Sequence, residues 1–387
     1  MLNVKMKISD GMSANNEETD ENKLIRVPQK LRKCMCLKVG DILKFDTYNK
    51  DSIELMIGKV LLNDIESDDS ICYVTQKTFK VINIEDSLKQ KIDPTVGITL
   101  GCDPELFIIN SNNNRLICAY TFLDRWGTVG HDGILAEFRP PPSICENILT
   151  DEIWGLINKL REKISMSDKY DPNIVKLVGA SSMENSTAGF HLHYGIPQMI
   201  LGKTPDKVRL MQQVVRGMDY YVGIPSIILE GAVDSKRRSN MAVTYGKPGD
   251  FRIDNRTFEY RVPGGYMLRH PILTRGLIAL GAVVMEDLVY KIKVATNNYI
   301  QLYWAQTDNR LNDMYPNLLS TKQIRNLVCN PSVNNAKQHI QRIFNDVSKM
   351  TGFEKRSKAI IELFTVIDNN TTFSSDIEQN WGNCYYE

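Results

Sequence analysis

The chain has almost no net charge: 47 Lys and Arg stand against 46 Asp and Glu, leaving +1 over 387 residues. That balance excludes a basic nucleic-acid coat and a protein held to membranes by charge. Long apolar runs are also missing. The strongest, GLIALGAVVM from Gly276 to Met285, falls well short of the roughly 18 residues that suggest a membrane-spanning helix, so it reads as a buried helix. Cysteine is thinly spread, at positions 34, 36, 72, 102, 118, 145, 329 and 384. No CxxC pair occurs, and Cys34-x-Cys36 is too tight for a zinc loop. The first residues, MLNVKMKISDGMSANNEETDENK, contain no signal-peptide h-region. Reduced thiols and a cytoplasmic location are therefore expected. Internal repeats and low-complexity tracts are absent too. What is present is the composition of a globular protein, 42% hydrophobic and 24% charged.

Residues 1–22 are polar and cannot bury enough surface to order themselves. Residues 23–92 read as a small β-rich domain. Within it, IRVPQKLRKCMCLKVGDILKF alternates strand, helix and turn, followed by strand candidates in ELMIGKVLLN and CYVTQKTFKVINI. The stretch closing at Asp93-Pro94 reads as a linker. A larger unit covers 97–295. ITLGCDPELFIIN and NRLICAYTF read as strands joined across an Asn-rich turn, GILAEFRP as a third and AGFHLHYGI and RTFEYRVPG as further strands. TDEIWGLINKLREKI carries apolar residues at helical spacing with Thr150 as its N-cap, and TPDKV opens a helix with Pro205 at its first position. Residues 296–387 read as a helical extension containing the amphipathic KQHIQRIFNDVSKM and EKRSKAIIELFTVI. Its last residues, TTFSSDIEQNWGNCYYE, read as loosely ordered.

Acids and histidines recur inside the strands of the larger unit. Asp103 and Glu105 lie in GCDPELF, Glu137 in ILAEF, His191 and His193 in GFHLHYG, and Glu259 with Arg261 in TFEYR. Residues i and i+2 of a strand share a face. Each pair therefore points one way, and a sheet with helices behind it and a cleft in front would collect them. Carboxylates gathered on one face repel, and hard divalent ions with oxygen ligands relieve that repulsion. Mg²⁺ fits such a set, and Mn²⁺ tolerates the imidazoles. Arg139, Arg237, Arg238, Arg252, Arg256, Arg261 and Arg269 surround the acids in sequence, and guanidinium forks suit phosphates and carboxylates.

GCDPELF, DGILAEFRPPP, GFHLHYGIP and RTFEYRVPGGYMLRHP, in this order, resemble the motifs of the glutamine synthetase/glutamate–cysteine ligase superfamily, in particular its phage-type amidoligase branch. The similarity spans about Gly97 to Tyr290. The resemblance implies an α+β fold: a curved, mainly antiparallel sheet whose concave face binds ATP and Mg²⁺ or Mn²⁺, with helices on the other face. The β-rich, barrel-like domain would precede it. It implies ATP-dependent joining of a carboxylate to an amine. By resemblance, Asp103, Glu105, Glu137, His191 and Glu259 are metal ligands. His193 is a phosphate contact, Arg139 and Arg261 hold the substrate carboxylate, and Glu259 and Arg261 act at the reacting centre. Arg237, Arg238 and Arg252 lie where such enzymes carry arginines for the nucleotide phosphates. One departure stands out: the glutamine synthetase pattern has Glu where this chain has Asp103, a ligand one methylene shorter. Tyr245-Gly246 and Gly264-Gly265 are candidate lids.

Two other readings stay open. One is a catalytically inactive nucleotide- or peptide-binding module, such as a phage structural component. The other is a DNA-associated regulator led by the N-terminal domain, whose IRVPQKLRKCMCLKVGD segment is similar to swapped-hairpin barrels. Lys30, Arg32, Lys33, Lys38 and Lys44 would supply its basic face, but Asp41, Asp46, Asp51 and Glu54 offset it. Nucleic acid and membrane are not expected partners. ATP and carboxylate- and amine-bearing substrates are, and a homo-oligomer is left open.

Overall fold

The structure, a computed structural model, describes residues 5–8, 24–26, 42–46, 52–58, 71–74, 98–196, 205–239, 246–253, 257–296, 315–330 and 332–385. The expected linker at Asp93-Pro94, Thr204, Tyr245 and Arg256 lie outside them. Two compact units emerge, Met1–Gly97 and Ile98–Glu387.

The first unit is a five-stranded sheet of β1 (Lys5–Ile8), β2 (Leu24–Arg26), β3 (Ile42–Asp46), β4 (Ser52–Gly58) and β5 (Ile71–Val74), in the order β1-β5-β2-β4-β3. Parallel pairs (β1 with β5, β2 with β4) alternate with antiparallel ones. Among the described residues no ladder joins the end strands, and no barrel closure is seen.

The second unit mixes helices with an antiparallel sheet. Its strands are β6 (Thr99–Asn110), β7 (Val129–Asp132), β8 (Leu135–Phe138), β9 (Val175–Val178), the short hairpin β10 (Ser182–Met183) and β11 (Ser186–Thr187), β12 (Phe190–Gly195), β13 (Phe251–Ile253) and β14 (Phe258–Tyr260). The main sheet runs β13-β14-β12-β6-β8-β7, with β9 also paired to β6. The central strand β6 contains Pro104, which has no amide hydrogen to give. Glu105 donates to Gly189 on the β12 side, while Leu100 donates to Ser143 on the other. By that alternation, the donor missing at 104 falls on the flank away from β12, where β8 begins to pair only at Glu105, so no ladder bond is lost.

NRLICAYTF does not form a second long strand. A single bridge joins Ile109 and Leu116, and the chain then coils into a 3₁₀ turn at Ala119–Thr121. The apolar residues of this segment fill space beside the sheet instead: Ile117 and Ala119 are buried.

The helices are α1 (Glu146–Ser165), α2 (Pro205–Met218), α3 (Ile224–Asp234), α4 (Pro271–Thr296), α5 (Thr321–Cys329), α6 (Val333–Val347), α7 (Phe353–Asp368) and α8 (Ile377–Tyr385). α1 starts a turn earlier than its apolar pattern suggests. Cys145 stands at its N-cap, and Thr150 lies inside it, returning its hydroxyl to the Glu146 carbonyl. Between α2 and α3 the backbone widens into a π turn at Asp219–Gly223. α4 carries the GLIALGAVVM run, with Ala279, Leu280, Val283 and Val284 fully buried. No helix among the described residues is long and apolar enough to cross a membrane.

Alternation decides which sheet face the helices cover. Leu192 and Tyr194 point opposite to His191 and His193, and Gly281 of α4 lies directly against Tyr194 and Leu192. Leu100, Cys102, Phe258 and Tyr260 share that covered face by register and are buried. A buried triad ties three helices together: Arg356 of α7 pairs with Glu146 of α1 at 3.2 Å and Glu286 of α4 at 2.8 Å. The tail is not loosely ordered. α8 buries Trp381 completely, donates its indole N–H to the Leu268 carbonyl at 2.8 Å, and stacks it on Trp154 of α1. A Trp flanked by polar residues looks weak as a periodic signal, yet its burial is worth several kcal/mol.

Candidate active site

Directly opposed residues of an antiparallel ladder point to the same side, and the register lines up the acid-bearing strands. Glu105 of β6 faces Glu137 of β8, and Asp103 faces His191 of β12. His193 faces both Gly101 of β6 and Glu259 of β14, while Glu259 faces Arg252 of β13. The face opposite the helices therefore carries an unbroken polar row from β8 to β13. Beyond Glu105 that same side of β6 turns apolar. Phe107 and Ile109 join Leu135, Val178, Ala180 and Ala188 in a buried cluster that walls one end of the row.

The side chains converge. One ligand atom each from Asp103, His193 and Glu259 lie within 4.8 Å of one another. His193 Nε2 is 3.1 Å from Asp103 Oδ2, and His191 Nδ1 is 3.1 Å from Asp103 Oδ1 and 3.6 Å from Glu259 Oε1. His191 is the more deeply buried of the two imidazoles. Its ring takes the space above Gly189, where a Cβ would come within 2.3 Å of Nε2. The resemblance made His191 the ligand and His193 the phosphate contact. The geometry places His193 in the converging set with Asp103 and Glu259, and His191, more deeply buried, against both of those carboxylates.

The charges of the cluster are tightly coupled. Burial works to raise the Asp103 pKa, but hydrogen bonds from His191 and His193 and their charge outweigh it and hold the carboxyl far below its usual range. For His191, burial disfavours the charged ring, yet the Asp103 hydrogen bond and the charges of Asp103 and Glu105 win, and its pKa rises. Glu105 is pushed up by burial, only partly offset by His191 and by the Gly189 N–H it accepts at 2.6 Å. Two carboxylates and an imidazole suit Mn²⁺ and accommodate Mg²⁺, so the residues present fit the divalent ion that the motif pattern implies. A divalent ion bound there would neutralise carboxylates and polarise phosphoryl oxygens.

The arginines divide into two groups. Arg261 Nε lies 3.0 Å from Glu259 Oε1, and Arg252, largely exposed, has its guanidinium 3.5 Å from Glu259 Oε2. Arg139 pairs with Glu137 and also donates to the carbonyls of Arg125 and Gly127 at 3.2 Å. These three stand on the polar face. Arg237 and Arg238 do not. Both side chains are fully shielded and packed on Glu230, to which Arg238 makes a fork of 2.8 and 2.6 Å, and both donate to the Val262 carbonyl. Their place in the core, set by a buried acid seven and eight residues upstream, could not be told from a KRR run. Arg269 is likewise structural, held by Asp234 and the Tyr266 ring.

The proposed Gly264-Gly265 lid is also corrected. Gly265 is buried and donates to the Ala188 carbonyl, while Gly264 donates to Glu230. This segment is hydrogen-bonded to the chain just before β12 and to the buried Glu230. Sequence reasoning missed Asp250. It lies one step before β13, takes the Arg261 amide on its carbonyl, approaches the Arg261 guanidinium at 3.8 Å and accepts the Gly246 N–H at 2.7 Å. Its i, i+2 relation to Arg252 was the available signal.

Among solved structures, the chain is similar to a novel glutamine synthase homolog (10% identity, 87% of this chain and 80% of that one, TM-score 0.39). It is also similar to apo GmaS without ligand (12% identity, 75% and 81%, TM-score 0.36). A third is a bifunctional glutathione synthetase from Pasteurella multocida (9% identity, TM-score 0.37), matched over 74% of this chain but only 54% of that one, so this chain spans about half its length. No curated protein sequence matches. Residues 100–382, which contain every acid, histidine and arginine of the polar row, match the family model described as Phage phiEco32-like COOH.NH2 ligase-type 2, and the chain belongs to that family.

Proposed function

We propose that the chain is an ATP-dependent carboxylate–amine ligase that works through an acyl phosphate. The observation that carries this reading is the convergence of Asp103, His193 and Glu259 on the sheet face opposite α4. Asp103, His193 and Glu259 would hold one Mg²⁺ or Mn²⁺ ion, and Glu105 and Glu137 would hold a second. His191 fixes the rotamer of Asp103.

Arg252, exposed at the sheet edge, reaches toward ATP phosphates, and Arg261 orients the substrate carboxylate. That carboxylate attacks the γ-phosphorus of ATP, its oxygen forms the new P–O bond, and ADP leaves. The amine then attacks the acyl carbon, and phosphate departs with the bonding electrons. The apolar wall of Phe107, Ile109 and Leu135 keeps water from one end of the row. The products are an amide, including an isopeptide where the substrate is a peptide or protein side chain, ADP and phosphate.

The test is to incubate purified protein with ATP, Mg²⁺ and a mixed pool of amines and acids, and to read ADP release and new masses together. An adduct lighter by one water than its acid and amine, formed with ADP, is expected. Undiminished ADP release by Glu105→Gln and Glu259→Gln would sink the assignment.

A further inference from the structure

Glu137 is held by one partner that also does something else. Arg139 follows it two residues later on the same face, pairs with its carboxylate, and donates through the same guanidinium to the carbonyls of Arg125 and Gly127. Those carbonyls belong to a loop that lies on the polar side of β7. At Gly130, directly opposite Glu137, a Cβ would meet Arg139 Nη1 at 2.5 Å and the carbonyl oxygens of Arg125 and Asp124 at 2.8 and 3.1 Å. Gly130 thus leaves a slot that the guanidinium and the loop backbone share. The tip of the loop is Trp126, 74% exposed, with the guanidinium carbons of Arg125 and Arg139 at 5.3 and 5.9 Å from its ring centre. A large indole kept in water beside two cations, at one end of the polar row, is unusual for a site with only a packing role.

We propose that Arg139 is a positioning residue that a divalent cation displaces: it clamps Glu137 and the Arg125–Gly127 loop together, and a cation entering between Glu105 and Glu137 releases it, moving the Trp126 ledge over the polar face. This rests on Glu137 being a metal ligand in the reading above. The charge count favours the exchange. A single guanidinium brings one positive charge and is bonded to Glu137, while the facing Glu105 accepts the Gly189 N–H and feels the charge of His191. A divalent ion between the two carboxylates neutralises both. Arg139, 29% exposed in its side chain, can then turn outward at small cost. It keeps its charge, and the ledge gains a free guanidinium beside an aromatic ring, a pair suited to the carboxylate of the incoming acid. The consequence is an order of binding: cation first, acid substrate second.

The experiment uses the full chain, stripped of metal, with Mg²⁺ as the probe. Calorimetry measures binding, and tryptophan emission is followed in parallel. The expected result is a saturable emission change whose midpoint coincides with one of the two steps of the calorimetric isotherm. Trp126→Phe, which stands outside the converging ligands, should bind Mg²⁺ within about twofold of the parent and lose the change. Arg139→Lys keeps the charge but not the fork, so it should bind Mg²⁺ at least as tightly and show most of the emission difference before any Mg²⁺ is added. Mg²⁺ binding without an emission change, or a change that survives in Trp126→Phe, overturns the clamp while leaving the metal site standing. No Mg²⁺ binding at all overturns both.

Discussion

At the scale of single residues, the site depends on what is left out as much as on what is present. Gly189 gives its N–H to Glu105 and its empty side to the His191 ring. Gly189→Ala would put a Cβ 2.3 Å from Nε2, which must move. The expected outcome is at least a tenfold loss of Mg²⁺-dependent ADP release with a folded far-UV spectrum; full activity would show that His191 does not steady Asp103. Asp219, on the π turn behind the sheet, makes a second, separate prediction. Burial, with a contribution from Asp250, raises its pKa to about 8, partly offset by the Tyr260 hydroxyl at 3.0 Å and the Gly249 N–H at 2.7 Å. In the unfolded chain the same carboxyl titrates near 4. Between those values the folded protein holds the extra proton, so stability falls as pH rises from about 4 to about 8, at most by about 1.4 kcal/mol per pH unit. Asp219→Asn keeps an acceptor for Gly249 and can pair with the Tyr260 oxygen. It should flatten the pH dependence of the melting temperature across that window and raise stability at pH 8; an unchanged slope would mean that Asp219 stays ionised.

At the scale of elements, the strands that carry chemistry were the most legible part. Period-2 spacing put each acid and histidine on one face, because a strand has no other way to place i and i+2, and the ladders then joined those faces in register. Contacts between distant segments were not legible. NRLICAYTF has strand-like residues but finds only one bridge, Leu116 to Ile109, on the edge of β6 that β8 takes at Glu105 and Leu106. Arg237 and Arg238 are hidden by Glu230, a pairing that tertiary packing creates. Which histidine enters the converging set follows from the depth of Gly189, and a motif does not record depth. The C-terminal helix shows the same limit: its one buried Trp was read as part of a loose tail. Trp381→Ala should cost about 3–5 kcal/mol of unfolding free energy by removing a wholly buried indole and its bond to Leu268. Urea denaturation checks this, and a loss under 1 kcal/mol would show that α8 is dispensable.

At the scale of the whole molecule, the family match and the polar row both fall within the Ile98–Glu387 unit. The residues named in that row all come from the second unit, and a substrate-recruiting or dimerising role is the reading we propose for the first. A chain of residues 98–387 should therefore fold and keep metal-dependent ATP turnover, with any change confined to the apparent KM for the acid or amine. Loss of turnover in a folded truncation would place part of the machinery in the first unit. The central claim is that a carboxylate is activated by phosphoryl transfer on this face. It is tested most directly by following ¹⁸O from a pool of carboxylate-labelled acids into phosphate during turnover with ATP, Mg²⁺ and mixed amines. The account predicts one labelled oxygen in phosphate for each amide formed, and none with Glu259→Gln. ADP release that leaves the phosphate unlabelled would contradict it.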